Sequence, residues 1–337
     1  MKLSNLLPLA VATLLIGCAT PPADKDQSLN DTLPTLTLQD VLPAPVANEY
    51  CNASMDSDIL YGIGSRLFNN DELQEAKSCF IMAAPKHDRA FCFLATITEQ
   101  DESKTEAQRN TEAFNYIAYS AAKNDWCAAF GMYQSYSYPS RGAKQDKALA
   151  LRWLERSARH GSPDSQHMLM SLYENEGKLV DSYAWSRIKS TADDTSDTDD
   201  LKKEMTPEQI AQGDKLYDEL RKTVTTQKAM YDEAREEDIG LYSANIHLDF
   251  PDTFKGMPSA ERYNFVKQSI ATVLAYPGME TRGQVLSYII IARQAQLKNP
   301  AIDILQNKQI VAILKDDNLT MGQTIDQATS ILNTAYK

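Results

Sequence analysis

Four cysteines have the clearest chemistry in this sequence: Cys51, Cys79, Cys92 and Cys127. Thiols form disulfides in exported proteins or bind metal ions, but no pair here has C-x-x-C spacing and no histidine lies at ligand spacing. We therefore expect two disulfides and no bound metal. Three pairings are possible. Cys79 and Cys92 flank a predicted turn near Pro85, which favours Cys79–Cys92 and leaves Cys51–Cys127.

Motifs for catalysis or cofactor binding are weak. Ser186 and Lys189 form an S-x-x-K pattern, which occurs in serine β-lactamases, but no K-T-G sequence follows. The sequence contains no P-loop, no dinucleotide-binding fingerprint, no H-E-x-x-H and no G-x-S-x-G. His160 and His167 have no motif partner. We predict a protein without catalytic residues and without a cofactor.

The first residues have the pattern of a secretory signal. Lys2 precedes an apolar run, Leu6–Ile16, that is too short to span a bilayer comfortably. Small and aliphatic residues stand directly before Cys18, and this pattern resembles the bacterial lipobox. The resemblance implies that residues 1–17 are a removed signal peptide and that Cys18 carries lipid. Ala19 after it implies sorting to the outer membrane of a Gram-negative cell.

A tether is predicted to follow the anchor. Residues 18–50 contain five of the 14 prolines and no sustained apolar period. Chains of this composition are extended or flexible. We therefore expect a lipid anchor and a proline-rich tether that hold the folded body near a membrane, facing the periplasm.

Residues 58–192 repeat with a period of about 37 residues. Tyr116 and Trp153 begin equivalent segments, each followed four and five positions later by small residues on one helical face. Tyr136 and Tyr173 have the same separation. A single hairpin cannot bury its apolar face, so such units must stack. The period predicts an all-α array of three to four antiparallel helix hairpins with the repeated aromatic residues in its core.

The clearest unit runs from Ala128 through Tyr136, Asp146 and Trp153 to Gly161, and it resembles the Sel-one-like repeat, a relative of the tetratricopeptide repeat. The resemblance implies a right-handed helical-repeat solenoid over residues 51–192, with an inner surface built mainly from the first helix of each pair. Exposed side chains on that surface would bind a peptide or a partner helix. The candidates are Trp126, Tyr133, Gln134, His167 and Met170.

Aspartates mark a boundary after the repeats, and we predict an acidic linker over residues 193–205. The spacing also permits a calcium-binding loop, but Thr198 stands at the sixth position, where such a loop needs glycine. Thr206 and Pro207 then give a strong helix start. Apolar residues recur every seven positions after it, which predicts a long capping helix over 206–239, packed against the last repeat.

Residues 240–337 are predicted to be a C-terminal helical region, either a small domain or a continuation of the array. Pro-Gly, Asn-Pro and Asp-Asn pairs separate its segments of helical spacing. Polar and apolar residues alternate over Asn245–Phe250, which permits one short strand. The predicted helices are 259–276, 280–298, 301–316 and 321–336.

The charge balance narrows the possible partners. The chain has 337 residues and a formal net charge of −12, which disfavours binding to nucleic acid. We expect a monomeric, lipid-anchored scaffold of the bacterial envelope that binds a protein partner through its repeats. The main alternative is an envelope enzyme or a ligand or cell-wall receptor with its site in residues 240–337. A third possibility is direct binding of glycan or peptide on the inner surface.

Overall fold

The computed structural model describes residues 25–138, 140–191 and 194–336, and for residues 25–27 the backbone alone. Within these ranges every regular element is helical, so the expected all-α class is confirmed. A 3₁₀ turn at Ile304–Gln306 precedes α16. The helices are α1 Lys25–Asn30, α2 Leu38–Val41, α3 Ser57–Asn69, α4 Leu73–Ala83, α5 Ala90–Glu99, α6 Glu106–Ala121, α7 Trp126–Ser137, α8 Lys147–Arg159, α9 Pro163–Asn175, α10 Leu179–Lys189, α11 Ser196–Glu204, α12 Pro207–Leu220, α13 Gln227–Asp249, α14 Ser259–Leu274, α15 Arg282–Lys298, α16 Lys308–Leu314 and α17 Met321–Ala335.

Helices α3 to α10 form four consecutive hairpins, here called the array, and each hairpin packs on the next. The repeated positions Cys79, Tyr116 and Trp153 are all completely buried. Small residues of the same segments, such as Ala121 and Ala158, are buried beside them. The prediction that these positions form core is confirmed.

Short polar side chains begin many of the array helices. Thr105, Asp125, Asp146 and Ser162 each accept a hydrogen bond from a backbone N–H three residues ahead. Such bonds satisfy donors that the first turn of a helix leaves free. Gly161 adopts a φ of +104°, a conformation that a side chain would strain, and so lets α8 turn directly into α9.

The prediction of a flexible tether is wrong for the described part of residues 25–50. Helix α1 packs on α8, where Leu29 is 1% exposed, and α2 packs on α6, where Val41 is buried. Leucines between and after these two helices pack against the same core. The apolar residues of this segment are irregularly spaced and therefore showed no helical period, but they contact the array surface.

The segment after the array also differs from its prediction. Residues expected to form an acidic linker include α11, whose Thr198 and Leu201 are buried. The expected capping helix over 206–239 ends at Leu220, and Thr226 caps a new helix. Helix α12 does pack on α10, so closely that a Cβ on Gly213 would lie 2.4 Å from the ring of Tyr183.

Helix α13 returns along the array from its last hairpin to its first. It has 23 residues and is therefore about 35 Å long. At its start, the Gln227 side-chain amide donates to the Ser190 carbonyl at the end of α10, at 3.1 Å. Near its end, Arg66 of α3 forms an ion pair with Asp249 at 2.7 Å. The strand permitted at Asn245–Phe250 is wrong, because residues up to Asp249 belong to this helix.

Helices α14 to α17, here called the C-terminal bundle, have a hydrophobic core of their own to which the second half of α13 contributes. The apolar run Ile289–Ile291 lies inside this core. Arg262 joins the bundle to the first hairpin through Asp56 at 2.7 Å and Asp58 at 3.1 Å. No helix in the described ranges is both long and apolar enough to cross a membrane.

Candidate interaction surface

The outward faces of α7 and α9 carry three of the five predicted binding residues: Tyr133, Gln134 and His167. Phe130 and His167 are 37 positions apart, as are Gln134 and Ser171. His167 is exposed and the other three are half-buried. Because equivalent positions in stacked hairpins lie on one side of an array, these residues belong to a common face.

Three aromatic side chains of this face form what we call the aromatic patch: Phe130, Tyr133 and Tyr138. The rings of Phe130 and Tyr133 are 5.6 Å apart. Tyr138 follows the end of α7 and is 61% exposed. Partial burial raises the pKa of the Tyr133 hydroxyl, which also interacts with Ser137 and Tyr138. Aromatic rings with a polar end at the surface are common in binding sites.

Met170 does not belong to this face, so that prediction is wrong. Its side chain is 5% exposed and packs in the core with Leu154 and Leu169. Successive helical residues are rotated by about 100°, so an error of one position moves a side chain from surface to core. The repeat equivalent of Met170 is Tyr133, which is half-buried.

Trp126 is half-buried beneath other parts of the same chain. The guanidinium of Arg89 lies 4.1 Å from the centre of its ring. Residues of α13, including Met230 and Ala234, line the same small cavity of about 260 Å³. A protein partner would have to displace these contacts to reach Trp126, so this candidate is a structural residue in this conformation.

Arg89 is the centre of an ion-pair cluster that joins three elements. It bonds Asp125 at 2.8 Å, Glu233 at 2.6 Å and Glu237 at 3.0 Å. Burial raises the pKa of the Glu237 carboxyl, while the nearby Arg89 charge opposes this shift. The cluster fixes α13 on the edge of the array. Arg89 belongs to no sequence motif, so its role could not be predicted.

The structure contains two disulfides, but the favoured pairing is wrong. Cys51 bonds Cys79 and Cys92 bonds Cys127, with Cα atoms 5.5 and 6.4 Å apart. Cys79 is covered by the segment before α3, whereas Cys92 faces α7. Cys79 and Cys92 therefore lie on different sides of neighbouring helices. Their positions on either side of the turn had suggested that they face each other. Cys18 lies outside the described residues.

One cluster in the described residues has the composition of a metal site. Cys92, Cys127 and Asp125 place possible ligand atoms within 4.8 Å of one another. The two sulfurs are bonded to each other, and Asp125 pairs with Arg89 and accepts a hydrogen bond from the Ala128 N–H. In this oxidised form the three side chains have other bonding partners.

The S-x-x-K residues have structural contacts. Ser186 is buried and donates its hydroxyl to the Tyr183 carbonyl at 2.8 Å, and it lies 3.0 Å from the Thr198 hydroxyl. Lys189 pairs with Asp197 at 2.6 Å. These contacts hold α11 on α10. The calcium-loop interpretation included Asp193, which lies outside the described residues.

A groove of about 700 Å³ lies between α13 and α14. Its floor is apolar and includes Ile239 and Ile270, which are both nearly buried. Charged side chains on its rim pair with one another, for example Lys267 with Glu236 at 2.6 Å. A groove of this volume is large enough for a small ligand.

Comparisons of the chain with known protein families, with curated proteins and with solved structures find no match. The class of protein is therefore defined by the fold alone: an all-α protein in which helical hairpins pack in sequence and a long helix connects the last hairpin to the first.

Proposed function

We propose that this chain is a scaffold of the bacterial envelope that binds a protein partner through the α7–α9 face. In this proposal the array is a right-handed solenoid of Sel-one-like repeats. The chain is exported, loses residues 1–17 and is anchored by lipid on Cys18 to the outer membrane, facing the periplasm. It acts as a monomer, and its role is binding rather than catalysis.

The observation that carries this proposal is the contrast between the two halves of the array. Helix α13 packs on α3 and its acidic residues bind Arg89 at the start of α5. The aromatic patch on α7 and the exposed His167 on α9 remain at the surface. Partly exposed Tyr and Phe beside polar side chains favour protein binding, because they bury much area with few rotatable bonds.

Photo-crosslinking in living cells tests the proposed surface. A benzoylphenylalanine at Tyr138 or at His167 should capture one specific envelope protein. The matched control is Leu297 in the C-terminal bundle, which is 64% exposed and therefore equally accessible. Equal products from all three positions would contradict the proposal. Products that contain glycan alone would favour direct binding of the cell wall.

A substitution sharpens the same test. Tyr138→Ala removes the most exposed ring of the aromatic patch and no buried contact. It should lower partner capture several-fold, measured by affinity purification, and leave the unfolding midpoint unchanged. A fall in stability without a loss of capture would indicate a structural role.

The α13–α14 groove supports a second function, a receptor or enzyme for a small molecule in the C-terminal part. Its volume and its apolar floor are the observations that favour this. Ala271→Trp would fill the groove from the exposed face of α14. If this substitution abolishes the function of the protein in cells and partner crosslinking at Tyr138 stays intact, the receptor is favoured over the scaffold.

A further inference from the structure

Helix α1 lies on α8 in a defined direction. The Arg152 guanidinium donates to the Ser28 hydroxyl at 2.6 Å, and that of Arg156 donates to the Asn30 side-chain oxygen at 2.6 Å. Residue numbers rise together along both helices, so α1 and α8 run in the same direction. The start of α1 at Lys25 therefore lies toward the first turn of α8, at Lys147.

The distance from that turn to the proposed anchor is short. Six residues separate Cys18 from Lys25. A fully extended chain advances about 3.5 Å per residue, so Cys18 lies within about 25 Å of the start of α1. The expected tether of more than 30 residues would have left the body free to turn. The docked α1 instead restricts which side of the body can lie near the lipid.

The surface near the first turn of α8 is basic although the chain as a whole is acidic. Lys144, Lys147 and Arg152 are exposed. Asp146 is the acidic side chain between them, and its carboxylate accepts the Leu149 N–H as the cap of α8. Within residues 144–152 the three cations, here called the basic surface, therefore outnumber the one acid, in a chain whose net charge is −12.

We propose that the basic surface faces the membrane and binds anionic phospholipid headgroups. This inference rests on the proposed lipid anchor at Cys18 and adds the orientation of the body to it. Lysines and arginines close to a bilayer are attracted to anionic headgroups, and the attraction acts over about 10 Å at moderate salt. The short connection allows the basic surface to approach the bilayer to within this range.

Lysine footprinting of the full-length, processed protein tests the orientation. The protein is reconstituted in vesicles of phosphatidylcholine, with or without one quarter phosphatidylglycerol, and treated with an amine-acetylating reagent. Lys144 and Lys147 should react at least threefold more slowly in the anionic vesicles than in the neutral ones. Lys255 and Lys308, which are exposed in the C-terminal part, should react equally in both. Salt at about 0.5 M should remove the protection, because it shortens the screening length.

The outcomes separate the anchor from the orientation. Mass spectrometry of the N-terminal peptide first establishes whether Cys18 is acylated, and an unmodified cysteine would refute both proposals. With acylation present, equal reactivity of Lys144 in the two vesicle types would overturn headgroup binding and leave the anchor intact. Protection by a purified acidic protein but not by vesicles would also overturn it.

Paired charge reversals complete the test. Lys144→Glu with Lys147→Glu should make Arg152 as reactive toward phenylglyoxal in anionic vesicles as in neutral ones. The matched pair Lys255→Glu with Lys308→Glu should leave Arg152 protected. Circular dichroism checks that both variants fold. If Arg152 still reacts more slowly in anionic than in neutral vesicles in the first pair, Lys144 and Lys147 do not bind the headgroups, which would contradict the proposal.

Discussion

The array and the C-terminal bundle bury their apolar side chains in different ways. The array core combines alanines with aromatic residues in successive layers, whereas the bundle core consists mainly of isoleucine and valine around one centre. All five cysteines lie at or before position 127, and neither disulfide involves the C-terminal bundle. Residues 250–337 carry nine Lys and Arg against seven Asp and Glu, while the whole chain is strongly acidic.

This difference has a physical reason. A stack of hairpins exposes its end layers and gains stability from links that hold the layers together. Here the Cys92–Cys127 disulfide, the Arg89 cluster and α13 supply such links, while Cys51–Cys79 ties the preceding segment to the first hairpin. A bundle that closes around a single core needs none of them. The three tryptophans also lie in the array, so tryptophan fluorescence reports on the array while circular dichroism reports on both regions.

The largest expected effect comes from the array core. Trp153→Ala removes a completely buried ring and should lower the free energy of unfolding by about 3–5 kcal/mol. Urea unfolding followed by fluorescence measures this loss. The matched change in the bundle is Ile289→Ala. If the regions unfold separately, it shifts the circular dichroism transition and leaves the fluorescence transition in place; a joint shift would show that they unfold as one unit.

Removal of one disulfide should cause the next largest loss of stability. Cys51→Ser with Cys79→Ser opens a link between residues 28 positions apart and should cost about 3 kcal/mol. The fluorescence midpoint should fall, and the release of residues 25–50 should appear as faster amide hydrogen exchange there. Unchanged exchange in that segment would show that α1 and α2 hold it without the disulfide.

The junction of the two regions should give a smaller effect. Arg262→Ala removes ion pairs to Asp56 and Asp58, which are partly exposed, so about 1–2 kcal/mol is expected. The fluorescence and circular dichroism transitions should separate in this variant. Lys267→Ala is the control, because its pair with Glu236 is half-exposed and should contribute less than about 0.5 kcal/mol.

The smallest expected effect is a pH dependence from His87. Its ring stacks on Tyr61 with centres 5.1 Å apart, and burial lowers the pKa of its imidazole. The native state therefore favours the neutral ring. Stability is fully present above the ordinary pKa of about 6.5 and falls as the pH drops toward the lowered value. We expect a loss below about 1 kcal/mol.

Unfolding midpoints at pH 7.5 and pH 5 check this expectation. His87→Gln should reduce the difference between the two midpoints, and His167→Gln, which changes an exposed side chain, should leave it as in the wild type. An identical pH response of all three proteins would assign the effect to other groups.

Much of the secondary structure could be predicted, because it depends on neighbours in the chain. Thr206 with Pro207, for example, begins α12 as predicted. The break between α12 and α13 could not be predicted, since a heptad pattern continued through the turn that separates them. The binding candidates were predicted less well. Tyr133, Gln134 and His167 lie at the surface, but Met170 is core, because the choice of face depends on contacts with other helices.

The sequence by itself determined the all-α class, the buried positions of the repeat and the presence of enough cysteines for two disulfides. These features depend on residue type and on spacing within about 37 positions. The tertiary structure decided that Cys51 pairs with Cys79, that residues 25–50 lie on the array, and that α13 returns to α3. The contacts of residues 25–50 and of α13 join segments far apart in the chain, where many partners offer similar apolar area. Cys51 had three possible partners, and geometry alone selects among the alternatives in each case.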